Sequence, residues 1–196
     1  MEIFMNVKQM FVDANALLEG HFMLSSGLHS NFYMQSAKVL QDTENAQVLG
    51  KMIADAITKQ GLDINLVVAP AMGGVIIGHE VASNLGLNFV FTERVSGKMT
   101  LRRGFEILKG SKIILVEDVF TTGKSTREVI TLLDSIGVET VACASIVDRS
   151  GGTVSFNVPK ISLLNLDIKS YNPDSCPMCI QGFAITKPGS RFVNRG

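Results

Sequence analysis

Short apolar runs alternate with amphipathic stretches through the middle of the chain, and this rhythm constrains the fold more than any other feature. Strands are predicted at Leu66–Ala69, Phe89–Phe91, Lys112–Val116 and Thr140–Val147. Helices are predicted at Val39–Gln60, Gly74–Leu85 and Ser125–Ile136, with Asp42 as an N-cap and with Gly86 and Gly137 as stop signals. Strands that alternate with helices form βαβ units, so we predict an α/β fold with a central parallel sheet flanked by helices.

The two ends of the chain do not follow this rhythm. Residues from about 1 to 36 and from about 165 to 196 contain Gly, Ser, Asn and Pro between short apolar groups. We expect these ends to form a small hood over a core at about 37–164, with residues 1–196 making up a single domain. The polar, glycine-containing stretch Thr92–Arg103 is predicted to be a loop.

Composition limits the class of protein. Hydrophobic residues make up 46% of the chain and charged residues 18%, which permits a sizeable core. The 18 basic residues equal the 18 acidic ones, so non-specific nucleic-acid binding is disfavoured. No apolar run is long enough to cross a bilayer, no signal peptide is recognisable, and three cysteines are too few for a disulfide framework. We therefore expect a cytoplasmic protein with no membrane and no nucleic-acid partner.

The segment from Ile113 to Thr126 carries the most chemical information. An apolar strand leads into Glu117 and Asp118, then into a hydroxyl-rich loop, and then into the start of a helix. Free backbone N–H groups at a helix start favour a phosphate, and Gly123 lets the backbone approach it closely. The loop also supplies hydroxyl donors from Thr121, Thr122, Ser125 and Thr126.

A nucleoside-triphosphate loop is the main alternative for this segment. Gly123-Lys124-Ser125 resembles the end of a Walker A motif, but that motif requires glycine where this chain has Asp118. A carboxylate there would repel a triphosphate. The two acids suit the vicinal hydroxyls of a ribose, with a nearby Mg²⁺ to offset their charge, so a sugar that carries one phosphate fits better. An ordinary capped turn would explain the hydroxyls but leave the two acids unexplained.

Val116–Thr126 resembles the signature of type I phosphoribosyltransferases that binds phosphoribosyl pyrophosphate (PRPP). The resemblance implies the fold of that family, with the acids on the ribose hydroxyls, the loop on the 5′-phosphate and Mg²⁺ as cofactor. The positions carried over for PRPP are Glu117, Asp118, Val119, Phe120, Thr121, Thr122, Gly123, Lys124 and Ser125.

Four further segments resemble the orotate branch of this family. They are His21–Ser30, Phe91–Phe105, Ala144–Arg149 and Lys187–Arg191. The resemblance implies transfer of the phosphoribosyl group from PRPP to orotate, which yields orotidine 5′-phosphate and pyrophosphate in pyrimidine (UMP) biosynthesis. A phosphoribosyltransferase for a purine base, or a PRPP-sensing RNA-binding regulator of the same fold, stays open as an alternative.

The resemblance also implies individual roles. Arg94 and Lys98 would sit on a mobile loop that reaches the pyrophosphate of the neighbouring active site in a homodimer. Together with Asp118 they form the expected catalytic set. Thr121, Arg149, Tyr33 and Met34 would bind orotate, and the turn Ala71–Gly74 would approach the pyrophosphate.

Several cations of the family are missing from this chain. Ser25, Gly73 and Val95 stand where many members carry lysine, and Thr100 stands where they carry histidine. Arg102 and Arg103 are candidates to replace these cations, and a surface ion pair is the alternative for both.

Cys176-Pro177-Met178-Cys179 has a spacing found in zinc sites. Zinc requires four ligands, and the third cysteine, Cys143, lies in a predicted core strand, while the histidines are far away in sequence. We therefore expect a tight turn with packed thiols, with a metal site or a redox pair as alternatives. His21 and His29 are expected to make structural hydrogen bonds, and no residue is assigned as a metal ligand.

Overall fold

The computed structural model describes residues 6–24 and 26–188, so Ser25 and the Gly189–Arg191 part of the C-terminal segment lie outside the described residues. Contacts divide the chain into two compact units, residues 1–39 with 167–196 and residues 40–166. In chain order the elements are α1 (Val7–Asp13), β1 (Leu17–Met23), β2 (His29–Met34), α2 (Ser36–Leu40), α3 (Thr43–Lys59), β3 (Leu66–Pro70), α4 (Gly73–Leu85), β4 (Asn88–Val95), β5 (Lys98–Leu101), β6 (Lys112–Phe120), α5 (Lys124–Ser135), β7 (Glu139–Asp148), β8 (Lys160–Asn165), β9 (Ser170–Tyr171), a 3-10 turn (Pro173–Ser175) and α6 (Pro177–Ile180).

The unit of residues 40–166 contains a six-stranded sheet in the order β5-β4-β3-β6-β7-β8. Neighbouring strands are parallel except for β4 and β5, which are antiparallel. Every residue of β3 is buried, as expected for a central strand covered on both faces. The predicted α/β class with a central, mostly parallel sheet and flanking helices is confirmed.

The long helix predicted at Val39–Gln60 is two helices. Asp42 interrupts it, because the Asp42 side chain accepts hydrogen bonds from the backbone N–H groups of Glu44 and Asn45 and so begins α3. Leu49, Ile53 and Ile57 recur at helical spacing and are fully buried, so this face of α3 packs into the core.

The predicted loop at Thr92–Arg103 is wrong, because β4 and β5 form a hairpin there. Thr92 pairs with Leu101 and Val95 pairs with Lys98. Ser96 and Gly97 connect the strands with φ values of 48° and 84°, the left-handed pair of a tight two-residue hairpin turn. The polar composition was misleading because β5 is an edge strand, and edge strands tolerate polar side chains.

The unit of residues 1–39 and 167–196 contains a small antiparallel sheet in the order β1-β2-β9. The last described segment joins it, because the backbone N–H of Met23 donates to the carbonyl of Thr186 at 2.9 Å, and that of Thr186 donates to the carbonyl of His21 at 2.8 Å. The described part of the chain contains no helix long and apolar enough to cross a membrane.

A buried ion pair fixes the end of β7 to β8. The carboxylate of Asp148 is fully buried and accepts hydrogen bonds from Lys160 Nζ and from the Ser150 hydroxyl. Lys160 Nζ also donates to the carbonyl of Val154 at 2.6 Å. Burial alone would raise the pKa of the Asp148 carboxyl, but the hydrogen bonds from Lys160 and Ser150 hold this pKa below its usual value.

Replacing Lys160 with methionine should lower the free energy of unfolding by about 3 kcal/mol, because it leaves the Asp148 carboxylate buried without its counter-charge. Urea denaturation at neutral pH measures the change. Lys51→Met is the matched control, because Lys51 and Asp55 form a pair whose side chains are 65% and 53% exposed. The control should lose less than about 1 kcal/mol, and equal losses in the two variants would contradict the role given to Lys160.

Candidate active site

Glu117 and Asp118 lie inside β6, which continues to Phe120 and so extends beyond the predicted end at Val116. Neighbouring side chains on a strand point to opposite faces of the sheet, so the two carboxyl groups occupy different surroundings. Glu117 is buried at 8% exposure, whereas Asp118 is half-buried. The Asp118 carboxylate accepts a hydrogen bond from the backbone N–H of Val119 at 2.9 Å.

Burial, followed by the negative charge of Asp118, raises the pKa of the Glu117 carboxyl to about 8, and a hydrogen bond from the Asp118 backbone offsets only part of this rise. Glu117 is therefore protonated at neutral pH. A protonated carboxyl donates one hydrogen bond and accepts others, which suits the hydroxyl groups of a sugar. A cation bound nearby would favour the ionised form.

The turn before α4 approaches the acid pair closely. A Cβ atom added to Gly73 would lie 2.6 Å from Oδ1 of Asp118. The peptide bond between Ala71 and Met72 is cis, and the N–H of Ala71 donates to the carbonyl of Thr92 at 2.7 Å. The structure thus brings the predicted pyrophosphate turn against Asp118.

The loop between β6 and α5 has the features of a phosphate site. Gly123 is the N-cap of α5 with a φ of 70° and has no side chain to cap the first turn, while the backbone N–H of Lys124 makes a long contact of 3.4 Å with the Thr122 hydroxyl. Thr121, Thr122 and Lys124 are exposed beside these N–H groups. A helix start without a side-chain cap offers its donors and its positive dipole end to an anion.

Gly123 is required here by conformation and by space. Its φ lies in the left-handed region, and an added Cβ would lie 2.7 Å from the ring of Phe156 and 2.9 Å from Val154. The loop is therefore pressed against the segment that precedes β8.

Arg127 holds the loop in place, and no pattern in the sequence indicates this role. Its guanidinium donates to the carbonyl of Thr122 at 2.6 Å and to that of Ser155 at 3.0 Å, and it lies 5.4 Å from the centre of the Phe156 ring. Arginine is common on exposed helix faces, so only the three-dimensional structure distinguishes Arg127 from a solvated residue.

Arg149 follows β7 at the same end of the sheet, and its backbone N–H donates to the carbonyl of Phe120 at 3.0 Å. The side chain is half-buried, and desolvation lowers the pKa of its guanidinium. Within residues 6–24 and 26–188 no side chain forms a hydrogen bond or ion pair with it. A partly desolvated cation of this kind is suited to bidentate binding of a carboxylate.

The two predicted cations of the mobile segment lie on the β4–β5 hairpin. Arg94 pairs with Glu128 of α5 and donates to the carbonyl of Gly97 at 2.6 Å, so its guanidinium is already engaged. Lys98 is exposed at the first position of β5. Arg103 forms a two-point ion pair with Glu93, at 2.8 and 2.9 Å. Of the two roles considered for Arg103, phosphate contact and a surface ion pair, the structure shows the ion pair.

Tyr33 and Met34 end β2 and belong to the other compact unit. Both are half-buried, the Tyr33 hydroxyl donates to Oε1 of Gln35 at 3.3 Å, and the Tyr33 ring packs against Phe22. Their assignment to the base stays a prediction. The remaining predicted residues, from Glu117 to Ser125 together with Arg149, lie in the unit of residues 40–166, at the ends of β6 and β7 and the start of α5.

The raised pKa of Glu117 predicts a pH-dependent stability. Between pH 4.5 and about 8 the folded state holds a proton that the unfolded state releases, so stability should fall as the pH rises through this window. Glu117→Gln should remove the effect, and its advantage over wild type in free energy of unfolding should grow by about 4 kcal/mol from pH 5 to pH 9. Urea denaturation at both pH values measures this change, with exposed Glu139→Gln as control. An advantage that does not depend on pH would contradict the assignment.

Comparisons with known proteins identify the family of the chain. Residues 36–172 match the family described as phosphoribosyl transferase domain. The chain is 48% identical over 187 residues to the orotate phosphoribosyltransferase of Carboxydothermus hydrogenoformans, covering 95% of this chain and 98% of the relative. It is 49% identical over 185 residues to that of Caldicellulosiruptor saccharolyticus, covering 94% of this chain and 96% of the relative.

Comparison with solved structures shows that the fold is shared as well. The crystal structure of orotate phosphoribosyltransferase from Aeropyrum pernix superposes with a TM-score of 0.70 at 22% identity, covering 82% of this chain and 94% of that one. With matches of this extent in sequence and in fold, the chain belongs to the orotate phosphoribosyltransferase family, within the phosphoribosyl transferase domain proteins.

Proposed function

We propose that this protein transfers the 5-phosphoribosyl group from PRPP to orotate, which gives orotidine 5′-phosphate and pyrophosphate and serves UMP biosynthesis. The arrangement at the end of β6 carries the proposal. A short loop leads from the acid pair to the start of α5, and Arg149, which has no acidic partner among the described residues, follows the neighbouring strand β7.

The acid pair and the loop bind different parts of the ribose phosphate. The N–H groups at the start of α5 and the hydroxyls of Thr121, Thr122 and Ser125 bind the 5′-phosphate. The protonated Glu117 and the ionised Asp118 bind the ribose hydroxyls and so orient the anomeric carbon. The main chain at Val119, Phe120 and Lys124 completes the loop, and Arg127 keeps it in position.

Mg²⁺ is the cofactor in this proposal. The site fits a cation, because burial and then the charge of Asp118 both disfavour the ionised form of Glu117, and carboxylate oxygens are ligands that Mg²⁺ prefers. Asp118 is the residue placed to hold it, together with oxygens of PRPP. The ion would neutralise part of the charge that develops on the leaving pyrophosphate.

Arg149 selects the base. Orotate carries a carboxylate that purines lack, and a partly desolvated guanidinium binds a carboxylate through two parallel hydrogen bonds. This favours orotate over a purine base. Thr121 is placed between the phosphate loop and the base in this proposal. A PRPP-sensing RNA-binding regulator is disfavoured, since the chain has no net charge.

The β4–β5 hairpin supplies cations for the leaving group. An oxocarbenium-like transition state leaves a highly charged pyrophosphate, and Lys98 is exposed to meet it. Arg94 would have to exchange Glu128 and the Gly97 carbonyl for the pyrophosphate. We propose that the hairpin acts on the neighbouring active site of a cytoplasmic homodimer that needs neither a membrane nor a nucleic acid.

Orotate mixed with PRPP, Mg²⁺ and the purified protein should lose its ultraviolet absorbance and release pyrophosphate. Arg149→Met should lower kcat/KM for orotate by about 100-fold, because the carboxylate loses a charged two-point contact, while the KM for PRPP changes little. Arg103→Met is the control and should retain most of the activity. Turnover of hypoxanthine, xanthine or adenine instead of orotate would overturn the base assignment.

Mixing two inactive variants tests whether the hairpin acts across the dimer. Lys98→Ala and Asp118→Asn homodimers should each turn over orotate far more slowly than wild type. In a hybrid dimer with a trans-acting hairpin, one site carries both defects and the other carries neither. Co-expressed and randomly paired chains should therefore recover about a quarter of wild-type activity. No recovery in hybrids confirmed by mass spectrometry would mean that Lys98 acts within its own chain.

A further inference from the structure

Four side chains that the proposed reaction does not use converge in the unit of residues 1–39 and 167–196. They are His21, His29, Cys176 and Cys179, and their ligand atoms all lie within 4.8 Å of one another. His21 lies on β1 and His29 begins β2, while Cys176 is the N-cap of α6 and Cys179 lies within it. Residues separated by about 150 positions in sequence are thus neighbours.

The spacing of these atoms matches a tetrahedron around one metal ion. Zinc bonds of about 2.3 Å to sulfur and about 2.05 Å to nitrogen, at tetrahedral angles, place nitrogen and sulfur about 3.6 Å apart and two nitrogens about 3.3 Å apart. Nε2 of His21 lies 3.5 Å from Sγ of Cys176 and 3.7 Å from Sγ of Cys179. Nδ1 of His29 lies 3.3 Å from Sγ of Cys179 and 3.1 Å from Nε2 of His21.

Hydrogen bonds among the four groups do not explain this convergence. Nδ1 of His21 lies 2.9 Å from the carbonyl oxygen of Phe183, an acceptor, so Nδ1 carries the proton and Nε2 presents its single lone pair. Three polar atoms surround that one lone pair. The lone pair can accept a well-directed hydrogen bond from only one of these atoms, whereas a metal ion at the centre would bind all four groups at once.

The surroundings of the cluster suit a metal as well. His21, His29 and Cys176 are buried, with exposures of 6%, 4% and 0%. The contact of His21 Nδ1 with a backbone carbonyl is the usual means of orienting a metal-binding imidazole. Nε2 of His29 is buried with no hydrogen-bond partner among the described residues, so the contacts of this ring are made through Nδ1, which faces the cluster.

We propose that His21, His29, Cys176 and Cys179 bind one Zn²⁺ as a closed structural site. Two thiolates and two imidazoles form a ligand set that zinc accepts in tetrahedral geometry, and four protein ligands leave no position open for a substrate. The ion ties the β1–β2 hairpin to the segment that contains α6. In the sequence, zinc was only an alternative to a turn with packed thiols because the histidines are distant, and the fold removes that objection.

Metal analysis tests the site independently of catalysis. Protein expressed with added zinc and then desalted should contain about one equivalent of zinc per chain by mass spectrometry of the metal. Cys176→Ser and His29→Ala should lose it. The chain contains one further cysteine and one further histidine, so Cys143→Ala and His79→Ala are matched controls that should retain the full equivalent. Zinc well below one equivalent in wild type, or equal loss in the controls, would overturn the proposal.

Cobalt substitution of the wild-type protein avoids variants that fail to fold. Co²⁺ bound to two thiolates and two imidazoles should give the intense visible bands of a tetrahedral site and a thiolate-to-metal charge-transfer band, and added Zn²⁺ should remove both. Weak octahedral bands would contradict the site. A disulfide between Cys176 and Cys179 in metal-free protein, purified without oxygen, would also contradict it. None of these measurements involves orotate, so their outcome is independent of the test of the proposed transfer reaction.

Discussion

Two adjacent carboxyl groups at the end of an otherwise apolar strand are the constraint on which the site depends. Burial is the main reason that Glu117 stays protonated, and the negative charge of Asp118 adds to it. The neighbouring turn comes close to this pair, since a Cβ at Gly73 would lie 2.6 Å from the Asp118 carboxylate. The same strand leads through a short loop into the start of α5, where the N-cap Gly123 has no side chain, so a site for hydroxyl groups and a site for a phosphate lie close together in the sequence.

The cations near this site differ in whether they are already paired with a carboxylate of the protein. Glu128 holds Arg94 and Glu93 holds Arg103, whereas Arg149 has no acidic partner among the described residues. An arginine already paired to a carboxylate must give up that pair before it gains another, so its net contribution to binding is small. A partly desolvated arginine without a partner gains the whole interaction. This difference favours Arg149 for ground-state binding of the base and leaves Arg94 to a step that rearranges the hairpin.

Sequence patterns predicted the parts of the fold that local physics determines. The fully buried strand β3 is a continuous apolar run, and helix α4 begins within one residue of its predicted start and is followed by Gly86. The β4–β5 hairpin was missed because its edge strand is half-exposed and polar, although Ser96-Gly97 was a usable turn signal. Arg127 and Lys160 were missed because their roles depend on carbonyl and carboxylate groups that only the fold brings near.

The Cys and His cluster could not be predicted from the sequence either, because its histidines and cysteines are about 150 positions apart. A zinc ion bound there would also stabilise the small terminal unit. This unit combines two distant chain segments, and its sheet ends in β9, a strand of two residues. Units of fewer than about 80 residues have small apolar cores that supply only a few kcal/mol, so a further link such as a disulfide or a metal adds much to their stability. Closing a loop of about 150 residues costs several kcal/mol of chain entropy that local packing must offset. A zinc ion bound by both segments would offset that cost where the apolar core is smallest, and because all four ligands come from the protein it would do so without taking part in the chemistry at β6.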